Sequence, residues 1–404
     1  MHTIENINYT KFKSLIFMQE YLIGGIIGAI IGYIISNFFD GIKSYTKKHL
    51  KNKKRKKDTG ELSVLTFTEN FGYLPIDHSI PMYKEENIIL RNKKSHFIIE
   101  IPEDYKERLS ELNFKFNSAS KNNFEHKVKE VFDFLEIENY LSVIKQASEV
   151  VAQKFLNDLE SGLPRFNGEL FGVENLKINR LTENEDSSLD ISFYVTDYFT
   201  FRVFSEIYNN NKHLFKPNNV VYLNKITPFL CSFGLGTFVI ANNGMCDCII
   251  LARRSDNVVV DQNRIHFSMN EAFSMLDLDE FKNPSFISCL FRGLKEELGI
   301  DEKYRTKITD YGFLDLGIDI NRMEMGISSF ARIEFDSKFT PALLKELYSI
   351  AQDGELETNE LMLVPLNKLT EFIQNNENKM SSSCRATLKA FDIRYKNGYI
   401  PLEK

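Results

Sequence analysis

An uncharged apolar run at residues 21–39, YLIGGIIGAIIGYIISNFF, constrains this chain more than any other feature. Its length is close to the roughly 20 residues that a helix needs to cross the hydrocarbon core of a bilayer. A cleaved signal peptide is the rival interpretation, but the run is long for one and no small-residue cleavage site precedes the basic cluster after it. We therefore predict one transmembrane helix at residues 21–39, preceded by a short non-cytosolic segment at residues 1–20.

The segment after this run, residues 40–60, is a strongly basic juxtamembrane linker. Nine lysines and arginines lie between Lys43 and Lys57, whereas the chain as a whole has a net charge of -6. The positive-inside bias places the body of the protein in the cytosol, on a single-pass anchor. The linker either marks topology alone or also holds anionic lipid headgroups. Because the rest of the chain is acidic, long nucleic acid is not an expected partner.

Glycines recur at a spacing of four within the apolar run, at Gly24, Gly28 and Gly32. Such spacing puts small residues on one helix face, where two membrane helices can approach closely. Glycine is also common in membrane helices that stand alone. The pattern therefore leaves two alternatives open, a homo-oligomer joined through this face and a lone anchor.

Residues 61–224 are predicted to be an α+β leader region. Apolar residues recur near helical spacing between residues 124 and 159, strand patterns occur at 176–181 and 189–196, and residues 198–208 are predicted to be helical. An aromatic cluster at residues 193–204 could stack a base, although such clusters more often form core. All five cysteines of the chain lie after this region, between residues 231 and 384, and their scatter indicates reduced thiols. We find no catalytic motif here.

A second apolar run at residues 226–241 is interrupted by Pro228, Gly234 and Gly236 and ends at an Asn-Asn-Gly turn. A turn of this kind favours a tight reversal between two strands. The run is also shorter than a membrane span. We predict a β-hairpin rather than a second transmembrane helix.

Residues 292–300, RGLKEELGI, place Arg292, Glu296 and Glu297 on a short helix that ends at Gly299. A proline near the start and a glycine after the last turn are the usual helix boundary signals. Side chains three and four positions apart share one helix face. Clustered carboxylates on such a face are suited to hold Mg²⁺ against a diphosphate, where the ion polarises phosphorus and activates water.

This stretch resembles the end of a Nudix box, with one departure: Gly293 stands where the family carries a glutamate. The upstream family glycine and glutamate positions hold Leu278 and Pro284. The resemblance implies an α/β (α+β) Nudix-like sandwich domain at residues 225–404, with Mg²⁺ as cofactor. It also implies that Glu296 and Glu297 are catalytic.

The same resemblance implies that the metal ligands are Glu296, Glu297 and a glutamate from the later part of the domain. We predict Glu360 for this third ligand, with Glu355 and Glu357 as alternatives. Residues of the surrounding loops are expected to contact the ligand. These candidates are Arg253, Arg254, Arg264, His266, Glu271 and Arg292.

A membrane helix followed by a cytosolic, degenerate Nudix-like domain resembles the transmembrane Nudix effectors of bacterial CBASS antiphage systems. That resemblance implies an inner-membrane protein that senses a cyclic oligonucleotide from a cognate CD-NTase, oligomerises and disrupts the lipid bilayer. The alternative is a membrane-tethered Mg²⁺-dependent hydrolase of a nucleoside-diphosphate-linked substrate. A lipid-bound scaffold without a ligand is a third reading.

Overall fold

The computed structural model describes residues 72–117, 124–179, 187–217, 219–256, 258, 261–335, 338–352 and 357–400. All of them belong to one compact unit, Thr59–Lys404. The predicted transmembrane helix at residues 21–39, its glycine face and the basic linker lie outside the described residues. Within the described ranges, no helix has both the length and the apolar character needed to cross a bilayer.

The first half of the described chain forms a small three-stranded sheet with helices around it. Strand β2 (Ile88–His96) is parallel to β4 (Ser188–Asp197), and β3 (Glu169–Asn179) is antiparallel to β4 on its other side. The strands predicted at residues 176–181 and 189–196 correspond to β3 and β4, and helices are found where residues 124–159 and 198–208 were predicted to be helical, whereas the strand character of residues 96–101 does not produce a strand beyond His96. The helices are α1 (Glu103–Glu111), α2 (Phe124–Phe134), α3 (Tyr140–Glu160), α4 (Tyr198–Asn210) and α5 (Val220–Lys225).

The second half is organised around a mixed sheet with the order β1-β9-β10-β5-β6-β11. Strand β10 pairs in parallel with β5 and antiparallel with β9, while two short strands, β7 and β8, pair with β6 and β5. Its strands are β1 (Tyr73–Tyr83), β5 (Phe233–Asn242), β6 (Asp247–Arg254), β7 (Ile265–His266), β8 (Met269–Ala272), β9 (Ile308–Asp319), β10 (Glu324–Ile333) and β11 (Thr358–Pro365).

Helices cover this sheet, and short 3₁₀ turns join the elements of both halves. The helices are α6 (Phe286–Leu298), α7 (Glu302–Arg305), α8 (Pro341–Ser349), α9 (Leu369–Asn376) and α10 (Ser382–Lys396). The 3₁₀ turns are Glu85–Asn87, Lys212–Leu214, Thr227–Phe229, Leu366–Lys368 and Glu377–Lys379.

Strands β5 and β6 form the hairpin predicted from the second apolar run. They pair antiparallel from Val239↔Ile250 to Asn242↔Asp247. Gly244 in the connecting turn has a φ of 88°, a left-handed conformation that glycine adopts without strain. The apolar character of this run therefore reflects burial in a sheet.

The two sheets share one hydrophobic core. Phe171 and Phe193 of the small sheet pack against Phe273, at ring-centroid distances of 5.0 and 5.2 Å, and Phe193 also contacts Phe233 at 5.4 Å. In addition, β1 precedes the small sheet in sequence but pairs with β9 of the large one. The boundary predicted between residues 224 and 225 therefore does not separate two independent cores.

Candidate functional site

Helix α6 carries the Arg292–Glu297 motif and has well-defined ends. The Ser285 side chain accepts a hydrogen bond from the backbone N–H of Ser288 at its N-terminus. Gly299 ends the helix with a φ of 67°, and a Cβ there would lie 1.9 Å from the carbonyl oxygen of Leu347. Only glycine fits this position without displacing the backbone of α8.

The Arg292 guanidinium is fully engaged by neighbouring protein groups. Its Nε and Nη2 donate to the two carboxylate oxygens of Asp277 at 2.7 and 2.8 Å. Its Nη1 lies 2.8 Å from Glu271 and 3.0 Å from Glu296, and Nη2 also donates to the carbonyl of Ala272. With its donors used in this way, Arg292 positions three acidic side chains and is not free to hold a phosphate.

Asp277 is the residue that sequence reasoning missed. It lies in the connection before α6, is fully buried, and also accepts a hydrogen bond from the backbone N–H of Ser274. Burial opposes the charge of Arg292, but the hydrogen bonds to Asp277 and the charge of Glu271 outweigh it and raise the pKa of Arg292. No periodicity in the sequence singles out this aspartate.

Gly293 faces β8 at very close range. A Cβ at this position would lie 2.5 Å from the Cε and 2.7 Å from the Sδ of Met269, and 3.2 Å from the Cβ of Glu271. Met269 thus fills the space beside residue 293, and Glu271 brings a carboxylate to the same region from the neighbouring strand. A glutamate side chain at residue 293 would therefore overlap Met269.

Glu297, Glu271 and Glu357 lie close enough to one another for their charges to interact. Glu297 is 9% exposed and accepts hydrogen bonds from the backbone N–H of Asn270 at 3.0 and 3.2 Å. Burial, together with the charges of Glu357 and Glu271, holds the pKa of Glu297 well above its usual range, against the charge of Arg254. Burial also raises the pKa of Glu271 to about 7, against the opposing effect of Arg292.

The two arginine candidates at the end of β6, Arg253 and Arg254, point to opposite faces of this strand. Successive strand residues point to opposite faces, so Arg254 faces Glu297 whereas Arg253 pairs with Glu360 at 2.9 Å. The late glutamate near Glu297 is therefore Glu357, not Glu360. The sequence alone could not decide between Glu357 and Glu360, because its pattern does not show which residue of an edge strand lies opposite Glu297.

Two further ligand candidates, Arg264 and His266, are engaged by the protein or buried in its core. Arg264 donates to the backbone carbonyls of Asn378 and Met380 at 3.3 and 3.1 Å. His266 is 2% exposed, and burial with the charges of Arg254 and Arg322 lowers its pKa well below the usual value. It is therefore a neutral imidazole within the core.

The predicted Mg²⁺ set of Glu296, Glu297 and Glu360 does not come together. Glu296 is bound to Arg292 and Glu360 to Arg253, on different elements. In the part of the chain that the structure describes, no group of three or more His, Cys, Asp or Glu side chains is arranged to hold a metal ion. The residues present do not fit the cofactor that the box pattern implies, and we assign no chemical step to it.

We expect the raised pKa of Glu271 to make stability depend on pH. Because the folded pKa of about 7 exceeds the ordinary 4.5, the stabilising contribution is complete below pH 4.5 and is lost as pH rises through 7. Urea unfolding across this interval should therefore show a falling free energy of unfolding, with a smaller fall in Glu271→Gln. The exposed Glu86→Gln is the control, and equal slopes in wild type and Glu271→Gln would contradict the prediction.

The solved structures to which this chain is similar include Nudix proteins. A Nudix hydrolase from M. smegmatis is 12% identical, covers 42% of this chain and 88% of its own, and has a TM-score of 0.27. A mutT/nudix family protein from Listeria innocua is 14% identical, covers 42% and 96%, and also has a TM-score of 0.27. The NUDIX domain of Shewanella oneidensis NrtR, complexed with ADP ribose, is 9% identical, covers 40% and 87%, and has a TM-score of 0.25.

No protein-family model and no curated protein sequence matches this chain. TM-scores this low carry no conclusion about function. What can be said of the chemistry comes from the residues around α6, in a mixed α/β protein whose structural neighbours are Nudix proteins.

Proposed function

We propose that this chain is a membrane-anchored receptor whose Nudix-like domain, at residues 225–404, binds a nucleotide without hydrolysing it. The box helix α6, the mixed sheet beneath it and the Arg292–Glu296–Glu297 pattern support a Nudix-like domain. One observation carries the receptor assignment: Met269 occupies the space beside Gly293, where a further carboxylate would have to lie.

The finer form of the proposal is an effector of a bacterial CBASS antiphage system. Its ligand is a cyclic oligonucleotide made by a cognate CD-NTase, and its output is oligomerisation and disruption of the inner membrane. The order of an apolar run at residues 21–39, a basic linker and a long soluble region supports this assignment, as does the spacing of Gly24, Gly28 and Gly32. A receptor must not hydrolyse its ligand, and the absence of one metal-binding carboxylate from the Nudix box favours binding without hydrolysis.

The test is calorimetric titration of the full-length protein in detergent micelles with cyclic dinucleotides, cyclic trinucleotides and ADP-ribose, with and without Mg²⁺. Each mixture is then analysed for cleavage products. Saturable binding of a cyclic species without cleavage supports the receptor. Mg²⁺-dependent cleavage of a linear diphosphate that is abolished by Glu297→Gln would overturn it.

A membrane-tethered hydrolase of a nucleoside-diphosphate-linked substrate is the second candidate. The observation that favours it is that Glu271, Glu297 and Glu357 repel one another electrostatically. The described residues do not form a preassembled metal site, so this candidate requires Mg²⁺ to draw these carboxylates together. Thermal unfolding with and without Mg²⁺ separates the two candidates. The receptor predicts no change in Tm, whereas a clear increase that disappears in Glu297→Gln favours the hydrolase.

Restoring the family glutamate with Gly293→Glu is expected to destabilise the protein without creating turnover. The new Cβ alone overlaps Met269, and overpacking of this kind costs about 1–3 kcal/mol. The new carboxylate would also join two buried acidic neighbours. Urea unfolding measures the loss.

Two variants act as controls for Gly293→Glu. Gly293→Ala reproduces the steric overlap without the charge, and the double variant Met269→Ala/Gly293→Glu removes the overlap but keeps the charge. We expect the double variant to regain part of the lost stability. Wild-type stability in Gly293→Glu would contradict the packing seen at this position.

A further inference from the structure

A cavity of about 330 Å³ lies where the helices of the first half meet the β6–β7 loop of the second. Its walls come from α3, from the start of α4, from the connection after α3 and from Asp256, Val258 and Gln262. None of its lining residues belongs to the box helix α6 or to strand β8. The cavity is therefore separate from the site around Arg292.

The side chains of this cavity combine stacked aromatic rings with a guanidinium group. Tyr198 stacks on Phe155 with ring centroids 5.8 Å apart and an interplanar angle of 20°. The Arg202 guanidinium carbon lies 5.9 Å from the Tyr198 ring centroid, and its Nη1 donates to the Tyr198 hydroxyl at 3.3 Å. These distances place the guanidinium beside the hydroxyl end of Tyr198, beyond its ring. A planar guanidinium is a surface on which a heteroaromatic base stacks.

The charges around the cavity leave Arg202 available to an anion. Arg165 is paired with Asp158 at 2.8 Å, and Lys154 with Glu206 at 2.8 Å. Among the described residues, Arg202 has no carboxylate within ion-pair distance. The Lys154–Glu206 pair is also half exposed on the lysine side, and exposed ion pairs contribute so little that a phosphate could displace Glu206.

The loop wall of the cavity is held in shape by its own hydrogen bonds. The Gln262 amide donates to the carbonyl of Asp256 at 2.8 Å and to that of Val258 at 3.0 Å. The carboxylate of Asp256 accepts a hydrogen bond from Asn263, so it is engaged within the loop. A ligand would therefore meet a preformed wall.

From this geometry we infer that the cavity between α3, α4 and the β6–β7 loop binds a nucleotide, with one base on the Arg202 guanidinium and a phosphate beside Lys154 and Arg202. Its volume is at the lower end of the roughly 300–1,000 Å³ of small-molecule sites, which suits one nucleotide unit. This inference rests on the proposed receptor function and places its ligand away from α6. A nucleotide bound here contacts both halves of the described chain.

Full-length protein in detergent is titrated with the ribonucleoside monophosphates and with cyclic di-AMP, for wild type and for Arg202→Ala and Lys154→Ala. At least one of these probes is expected to bind, with affinity about tenfold weaker in Arg202→Ala because a charged, stacked contact is lost. Lys154→Ala, at an exposed position, tests the same site with little risk to folding. Arg108→Ala, an exposed arginine on α1 whose partner is Glu160, is the matched control and should bind as wild type.

Hydrogen exchange of the same complexes locates the ligand. Protection of peptides covering residues 151–165 and 198–202, without protection of residues 286–298, is the expected result. If Arg202→Ala and Lys154→Ala bind the probe as tightly as wild type but Arg254→Ala does not, the ligand lies near α6. In that case the cavity inference fails, while the receptor function is supported. If none of these probes binds, this inference fails, whereas the receptor function fails only if the cyclic dinucleotides and trinucleotides of the wider titration also do not bind.

Discussion

Replacing Arg292 with alanine is expected to destabilise the protein by about 3–5 kcal/mol, a large share of the net stability of a typical folded domain. The reason is Asp277, which is fully buried and receives two hydrogen bonds from this guanidinium. Removing the arginine leaves that charge in the core without its partner. Glu271 and Glu296 lose the same cation.

Urea unfolding monitored by circular dichroism measures the effect of Arg292→Ala. Arg305→Ala is the matched control, because Arg305 lies on the nearby α7 and pairs with Glu302 at the surface, where ion pairs contribute little. The double variant Arg292→Ala/Asp277→Ala removes the stranded charge and should recover part of the loss. If Arg292→Ala unfolded at the wild-type urea concentration but lost nucleotide binding, Arg292 would be a ligand contact instead of a structural residue.

Replacing Arg394 with methionine is expected to cost a similar amount, about 3–5 kcal/mol. Arg394 lies on α10, is fully buried, and donates to Asp315 of β9 at 3.0 Å and to the carbonyl of Ser79 of β1 at 2.8 Å. Burial disfavours the charge of Asp315, but Arg394 and His78 outweigh it and hold the pKa of this carboxyl below its usual range. The arginine therefore attaches the last helix to two strands of the large sheet.

Urea and acid unfolding test the role of Arg394. Because the folded pKa of Asp315 is depressed, its contribution to stability is present above the ordinary pKa of 3.8 and is lost as pH falls below it. Arg394→Met should remove most of this acid dependence. Lys106→Met, which loses only a surface contact with the exposed Glu103, is the control, and an unchanged urea midpoint in Arg394→Met would contradict the prediction.

Several helices and strands can be predicted from the sequence, because capping and turn residues close to them along the chain decide where they begin and end. The start of α6 after Pro284 and its end at Gly299 follow from residues that begin and stop helices in most contexts. The hairpin of β5 and β6 follows from its Asn-Gly turn. In each case the deciding interactions lie within a few positions along the chain.

The acidic site was only partly predictable. Arg292, Glu296 and Glu297 share a helix, so their proximity follows from the helical repeat alone. Glu271 was expected in a loop near the helix, but it lies on strand β8, and its pairing with Arg292 depends on how β8 packs on α6. Asp277, Met269 and Glu357 come from separate elements, and no spacing in the sequence relates them to α6.

The sequence by itself determined the main helices and strands of residues 124–208, the β5–β6 hairpin, the helix boundaries at α6 and the expectation that Glu296 and Glu297 share a helix with Arg292. Only the tertiary structure decided that Met269 fills the space beside Gly293 and that Arg292 donates its hydrogen bonds to Asp277. The same holds for the pairing of β1 with β9, a strand far from it in sequence. The physical reason is that propensity, capping and periodicity act over a few residues. Burial and charge pairing instead depend on which distant surfaces the folded core brings into contact.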